Sequence, residues 1–600
     1  MKALEVASSP LGGTRRLVLI LGLDTLLAVL VAGLWCLVVG RTSLETWRVP
    51  VDYSADALYT LATLKATHDG HVTPLGLVAV PELGAPHGAS WNDFLRQHKL
   101  QYWLAGSLAR AVGLFPAANL LVLLAAVLAA LSFQAVSRHL GARPEWALAG
   151  ASAFALSPFF FHRSLAHLTL SFYWPIPPAV LVVAWAFEEH GIRPGSRRFT
   201  AAVAIAVVTG LHNIYFAALF AQFLGLSFLV QWLLRRAPRA ALSSLALLVV
   251  LLATVLVDNA NLLVQAAREG TPTDALQRPY GNLERYALKP IELLLPLGEA
   301  GIVPWRAAGS VYLRSALYRG ELGSAYLGLA GVVALLGLAM ATARAGLGRR
   351  RRPAPGAALA LAWVFAYAVV GGLNGLLGLA GFVWLRATNR TSIWILAVVL
   401  LWGATAISRA AWTRRRTASV LAAALFGAVT LADQLPPRTR PEAIRERGAV
   451  LASDAVFTRS LEAALPAGAM VFQLPVVAFP EGLRIRGASD YEQLRPYLHS
   501  KQLRFSYGSD KGRPREAWQR RVEELDPEPM ADALERMGFA GLLVIRKAYE
   551  DGAQELCDRL AATGRREALE SPDHDLQFVR LRPAPSPLPP DEVLPPASGS

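Results

Sequence analysis

The sequence predicts an α-helical polytopic membrane protein. It should have about 11 transmembrane helices, its N-terminus inside and its C-terminus outside, with a small α/β domain trailing on the outer face. Three observations lead there. Of the 600 residues, 54% are hydrophobic and 17% charged, a balance too apolar for an ordinary soluble chain of this size. The apolar residues come in repeated runs of roughly 18–23, the length that crosses a bilayer as a helix. Five short connections between those runs, 138–143, 193–198, 235–239, 344–352 and 409–416, hold 17 arginines and no acid. This is the positive-inside pattern and places all five on the cytoplasmic side. The net charge of +15 is explained by that distribution better than by a nucleic-acid partner, and none is expected.

The elements follow in order. Arg15 and Arg16 precede the first apolar run, 17–39, a retained signal-anchor with a cytoplasmic N-terminus. Residues 42–115 form a first outer loop with two amphipathic helices, near 55–68 and 91–112, separated by a Gly/Pro-rich segment at 74–88. Trp47, Trp91, Tyr102 and Trp103 suit an interfacial position. Further spans are read near 116–136, 145–160 and 170–187. Two more are joined outside at 210–215, and a seventh, near 240–257, leads to a second outer loop at 258–320. The eighth returns to 344–352 and the ninth exits near 371–374. The segment through 384–390 re-enters part-way, and the last span lies near 418–433.

Residues 1–434 are therefore read as the membrane domain and 435–449 as a linker. Residues 450–583 form the outer α/β domain, with strands near 469–474, 541–545 and 576–581 and helices near 454–464, 514–524 and 527–537. The Pro- and Ser-rich tail, 584–600, is expected to be disordered. Two cysteines, Cys36 and Cys557, exclude a disulfide framework and a cysteine metal cluster.

The candidate site residues lie in the outer segments. Asp52 and Asp56 directly follow the first span. If the stretch is helical, they share one face about 6 Å apart along the axis. Two loop acids are ordinarily just solvated, but a carboxylate here is placed to take a proton from an attacking hydroxyl. Asp93 is either a second acid or a helix cap, and His98 is close by. Arg163 and His167, four residues apart, either reach for the interface or clamp a phosphate. His212 and Asn213 mark the next outer turn. Arg386 and Arg390 are cations on the outer side, against the charge bias. Their partner is either a phosphate or one of Asp52, Asp56 and Glu284. Arg278 and Glu284, in the second outer loop, either shape a pocket or pack there. In the α/β domain, 479–481, 490–492 and 506–512 are candidate sugar or polymer contacts. The last is Gly-bearing but is no Walker sequence.

Certain motifs carry a resemblance. Ser54-Ala55-Asp56-Ala57-Leu58, Leu83-Gly84-Ala85-Pro86-His87-Gly88 with Trp91-Asn92-Asp93-Phe94, Arg163 with His167-Leu168-Thr169, and Arg386 with Asn389-Arg390 resemble a bacterial group within the glycosyltransferase-C superfamily. The likeness spans nearly the whole chain, and Asp56 matches that family's first-loop acid. The group tends to carry Gly before the acid and Phe in Pro-Phe-Gly, where Ala55 and His87 stand here. The resemblance implies an enzyme of the bacterial inner membrane with its active site on the outer face. Such an enzyme passes a sugar from a polyprenyl-phosphate-linked donor to a glycan, lipid or protein acceptor. Asp56 or Asp52 would be the base, and Arg386, Arg390, Arg163 and His167 would hold the phosphate. No cofactor is expected, with a divalent metal left open. The reading from another class is a non-catalytic lipid-linked-sugar transporter or envelope-assembly protein. A transporter calls for mid-membrane polar sites or internal repeats, and Asp24 is the main charge within a span.

Overall fold

The computed structural model describes residues 13–94, 98–272, 278–298, 301–317, 320–321, 323–347, 355–482, 485 and 487–594. Helices stand at all eleven expected span positions. Among the described residues, seven are long and apolar enough to cross a membrane: Ile20–Val39, Leu114–His139, Ile214–Leu234, Pro238–Asp258, Gly328–Leu347, Thr388–Ser408 and Arg416–Gln434. The other four positions hold the shorter helices Pro144–Ala155, Ile176–Ala186, Arg197–Gly210 and Gly356–Ala368. At 1.5 Å per residue these fall short of the hydrocarbon thickness. Proline is one cause. The expected span at 145–160 breaks at Ser157-Pro158, where a separate turn, Pro158–Arg163, begins, because proline brings no N–H to the helix ladder.

The spans pack into one apolar core with Thr388–Ser408 near its centre, 72% of its span window being buried. Asp24 is not an isolated membrane charge. Its carboxylate accepts from the Gln134 amide at 2.5 Å and from Arg138 at 3.1 Å.

The segments expected on the outer face differ from expectation in three places. The second amphipathic helix starts at Lys99, not Trp91, and runs to Val112. Trp91 is fully buried rather than interfacial. The linker is shorter than 435–449, since helix Pro441–Ala464 begins within it. The tail up to 594 is folded on the domain: Ala584 N–H donates to the Glu535 carbonyl at 2.8 Å, and Leu594 is buried. Residues 595–600 of that tail lie outside the described residues.

Strands β1 (Ala79–Val80) and β2 (Ala89–Ser90) form a small antiparallel ladder in the first outer loop. The C-terminal domain holds β3 (Met470–Leu474), β4 (Arg504–Phe505), β5 (Phe539–Ile545), β6 (Glu567–Glu570) and β7 (Leu576–Arg580) in the order β4-β3-β5-β7-β6. The first three are parallel and the last two antiparallel to their neighbours. Strands β3 and β5 are buried along their whole length, which accounts for their apolar runs, interrupted in β3 by Gln473.

This sheet is joined to the first outer loop. The Phe505 N–H donates to the Glu82 carbonyl at 2.8 Å, and the Gly84 and Ala85 N–H groups donate to Tyr507 and Phe505, each at 2.9 Å. Gly84 has φ +68, and a Cβ there would lie 2.3 Å from the Ser509 hydroxyl. Only glycine permits that approach. The Leu83–Gly88 motif is thus the seam between loop and domain.

Candidate functional site

The chain is fixed before it reaches Asp56. Asn119, fully buried in Leu114–His139, accepts from the Val51 N–H at 2.9 Å and donates to the Trp47 and Val49 carbonyls at 2.8 and 2.9 Å. Arg447 donates to the Pro50 and Val51 carbonyls. A turn follows, closed by Ala57 N–H to the Ser54 carbonyl at 3.0 Å. Ala55 there has φ 44 and ψ −129, the first central position of a type II′ turn. Helix Asp56–His68 starts from it. Asp56, Tyr59, Thr60 and Thr63, at helical spacing on one face, line a cleft of about 1010 Å³.

The same cleft is lined by Arg278, Arg386 and Arg390, with His167 beside Asp56. Glu321 binds Arg390 through both carboxylate oxygens and Arg163 at 2.6 Å. Arg390 also lies over the Tyr215 ring, 4.6 Å from its centroid. The other two arginines have looser carboxylate contacts, and Arg278 also donates to the Trp384 carbonyl at 3.2 Å. Glu481 is 3.4 Å from Arg278 and 3.6 Å from Arg386, and Arg386 lies over Tyr286 at 5.2 Å.

The electrostatics separate these groups. Burial, then the neighbouring Asp490 and Glu481 carboxylates, push the Asp56 carboxyl up to about 6. Its side chain is 46% exposed, but to the cleft whose wall it forms. Burial, aided by Arg163 and Arg390, lowers His167 to about 3. The imidazole is therefore neutral, and its Nε2, 3.6 Å from Asp56 Oδ2, is a dipolar neighbour rather than an ion-pair partner. Although burial opposes it, Arg390 and Arg163 hold the Glu321 carboxyl well below its ordinary range. Among the described residues no group of three or more His, Cys, Asp or Glu is placed to hold a metal ion.

No family model and no curated protein matches the chain. Solved structures do. ArnT from Cupriavidus metallidurans bound to undecaprenyl phosphate aligns over 96% of this chain and 100% of its own, at 13% identity and a TM-score of 0.40. The Archaeoglobus fulgidus oligosaccharyltransferase in its apo form aligns over 87% of this chain and 69% of its own, at 14% identity and a TM-score of 0.43. The same enzyme tethered with an acceptor peptide aligns over 94% and 74%, also at 14% and 0.43.

The structure separates the residues singled out by the sequence. Asp56, His98, His167, Asn213, Arg278, Arg386 and Arg390 line the cleft. Asp52 does not. It precedes the II′ turn and lies outside the helix, so it shares no face with Asp56. Its carboxylate accepts from the Ser54 hydroxyl at 2.8 Å. Arg163 sits behind the wall, buried against Glu321 and Ser324. His212 is buried off the cleft, with Nδ1 2.7 Å from the Val208 carbonyl and its ring edge-on to Trp174. Asn213 caps Ile214–Leu229 by accepting from the Tyr215 N–H at 3.1 Å. Glu284 is absent from the wall, and neither it nor Asp52 or Asp56 pairs with Arg386 or Arg390. His98 is buried with φ 74, and burial holds its imidazole well below the ordinary range.

Asp93 is neither a cap nor a cleft acid. It accepts from Arg513 Nη2 at 2.5 Å and Nε at 3.0 Å, deep in the seam with the C-terminal domain. Breaking a buried pair typically costs about 3–5 kcal/mol, and less here, because Arg513 keeps its bonds to the Glu269 and Gly270 carbonyls. Asp93→Ala should therefore lower the melting temperature by several degrees and leave the turnover of folded protein unchanged. Calorimetry beside an activity assay checks both.

Sequence reasoning missed Glu321, which lies one residue past the expected end of the second outer loop and has no local signal. It had marked 479–481 and 490–492 without linking them to Asp56, yet Glu481, Asp490 and Tyr491 line the same cleft. Unusual backbone marks the place too. Of the eight described non-glycine residues with positive φ, Ala55, His98, Glu481 and Tyr491 lie in or next to the cleft wall. Such conformations persist only where the surroundings enforce them, and they concentrate at functional sites.

Proposed function

We propose that the protein is a membrane glycosyltransferase. It takes a sugar from a polyprenyl-phosphate-linked donor and passes it to a glycan, lipid or protein acceptor on the outer side of the bacterial inner membrane. One observation carries the reading. A carboxyl raised to about 6 shares one cleft with guanidinium groups whose carboxylate contacts are loose.

Asp56 removes the proton from the acceptor hydroxyl as its oxygen attacks the anomeric carbon. The bond from that carbon to the phosphate oxygen breaks, its electron pair leaves with the polyprenyl phosphate, and the anomeric centre inverts. The leaving phosphate needs cationic donors and no strong acid. Arg278 and Arg386 supply them, since Glu481 at 3.4–3.6 Å holds each weakly. Arg390 is already bound to Glu321 through Nε and Nη2. Neutral His167 borders the Asp56 carboxyl without neutralising it.

The test is purified protein in detergent, supplied with a polyprenyl-phosphate sugar and an envelope extract as acceptor. Release of polyprenyl phosphate with transfer of the sugar is expected. Donor binding without any release would sink the catalytic reading. Orientation has its own test. A cysteine replacing exposed Glu524 should react with an impermeant thiol reagent on intact cells, and one replacing exposed Arg193 should not; the reverse result overturns the topology.

A further inference from the structure

A charged cluster outside the cleft is unused by this mechanism. Arg495, with 2% of its side chain exposed, binds Asp454 at 2.7 and 2.9 Å and Glu492 at 3.2 Å, and it also pairs with Asp575. Lys547 joins it, at 3.1 Å from Glu492 and 3.0 Å from Asp575. A stability role alone would keep the cluster inside its domain. Instead two arms leave it and reach the first outer loop on either side of Ser54.

One arm is Tyr53, whose hydroxyl donates to Asp454 Oδ2 at 2.8 Å. The other ends on the residue before Asp56. The Ala55 N–H donates to Ser489 Oγ at 3.2 Å, and the Ser489 hydroxyl donates to Glu492 Oε1 at 2.5 Å. Arg495 and Lys547 hold the other oxygen of Glu492. The bonds thus run from the buried cluster through Glu492 and Ser489 to the Ala55 backbone.

Ala55 needs such a hold. At φ 44 and ψ −129 it occupies a position that glycine adopts freely and a residue with a Cβ disfavours. The helix it opens has no side-chain cap at Ala55. Released from Ser489, Ala55 relaxes toward negative φ, the Ala55–Asp56 peptide turns, and the carboxylate leaves its line with His167 and the arginines.

We propose that Ser489, steadied by Glu492, is a positioning residue for Asp56, so that the C-terminal domain sets the aim of the base in the membrane domain. This rests on the reading of Asp56 as the base.

The test is a cycle of Ser489→Ala and Ala55→Gly in the full-length protein. Losing one hydrogen bond of ordinary strength corresponds to roughly tenfold. Ser489→Ala should therefore lower kcat about tenfold, leave donor KM unchanged and speed amide exchange across residues 54–57. In the Ala55→Gly protein the same replacement should cost less than about threefold, because glycine keeps the turn unaided. Ser489→Thr, which keeps the hydroxyl, should retain turnover, and it separates loss of the clamp from misfolding. Equal losses in both backgrounds, or no loss in either, overturn the proposal. Should Asp56→Asn retain full turnover, the base assignment falls first. Amide exchange without substrate then decides the clamp alone, and unchanged exchange in Ser489→Ala overturns it.

Discussion

Asp56→Asn should lower turnover about 10²–10⁴-fold, the usual contribution of a positioned general base. Asparagine keeps the size of the side chain and its acceptor oxygen, so the helix start and the cleft wall persist. It cannot take the acceptor's proton. Donor binding should survive or tighten slightly, because a carboxylate near a phosphate repels it. The pH dependence follows from the same group. Its carboxyl is held at about 6 by burial and by the Asp490 and Glu481 charges, above the ordinary value for aspartate. The base form is needed, so kcat/KM should be flat above that pH and fall tenfold per unit below it. In Asp490→Asn the midpoint should move down, since a carboxylate that raises it is gone. Asp52→Asn should stay close to the parent protein, because Asp52 faces Ser54 and not the cleft. Steady-state transfer assays from pH 4.5 to 8 on these variants check all of this. A wild-type rate in Asp56→Asn would return the transporter reading to first place.

The division between what the sequence disclosed and what it did not is physical. Apolar helices were legible because a bilayer demands length and apolarity. Strands β3 and β5 were legible because their buried, mostly apolar runs are short and lie between helical stretches, and β7 because apolar and polar residues mix at strand length. Helix Asp56–His68 was legible from its pattern, but its start was not. Extending it back to Asp52 required helical backbone at Ala55, and a II′ turn stands there instead, its Ala55 N–H donating to Ser489, more than 400 positions away. Local pattern holds no record of such a partner.

The same limit governs charges. Arg386 and Arg390 were visible as cations on the side where the bias disfavours them. Their partners, Glu481 and Glu321, were not, because those come from the C-terminal domain and from a loop without periodicity. Arg163 was assigned to phosphate by type and spacing alone. Full burial beside Glu321 and Ser324 gives it a different place, that of a prop for the carboxylate that holds Arg390. Asp93 was read as a second acid or a cap, because its segment looks helical and lies outside the spans, and Arg513 claims it across the seam.

Arg386→Ala should weaken donor binding about 10–100-fold, with turnover at saturation falling further. A phosphate goes to the cation least committed to a carboxylate. Arg390 gives Nε and Nη2 to the two oxygens of Glu321, and Arg163 shares that carboxylate. An incoming phosphate would have to displace a close, doubly bonded, half-buried pair. Arg386 has only a 3.6 Å approach to Glu481 and an aromatic face behind it, so a phosphate gains its planar donors at small cost. A hydrogen bond between charged groups is worth about 1.5–3 kcal/mol, which gives the stated range. Arg386→Lys keeps the charge, loses the fork and the stacking on Tyr286, and should recover only part of the affinity. Glu481→Gln separates this picture from one in which Glu481 itself is required. It removes the competing carboxylate, so donor affinity should rise while the Asp56 midpoint moves down. Binding of a polyprenyl-phosphate sugar by fluorescence or calorimetry reads each variant. If Arg390→Ala weakens the donor strongly while Arg386→Ala does not, the phosphate lies at the Glu321 end of the cleft and the assignment of the two arginines is reversed.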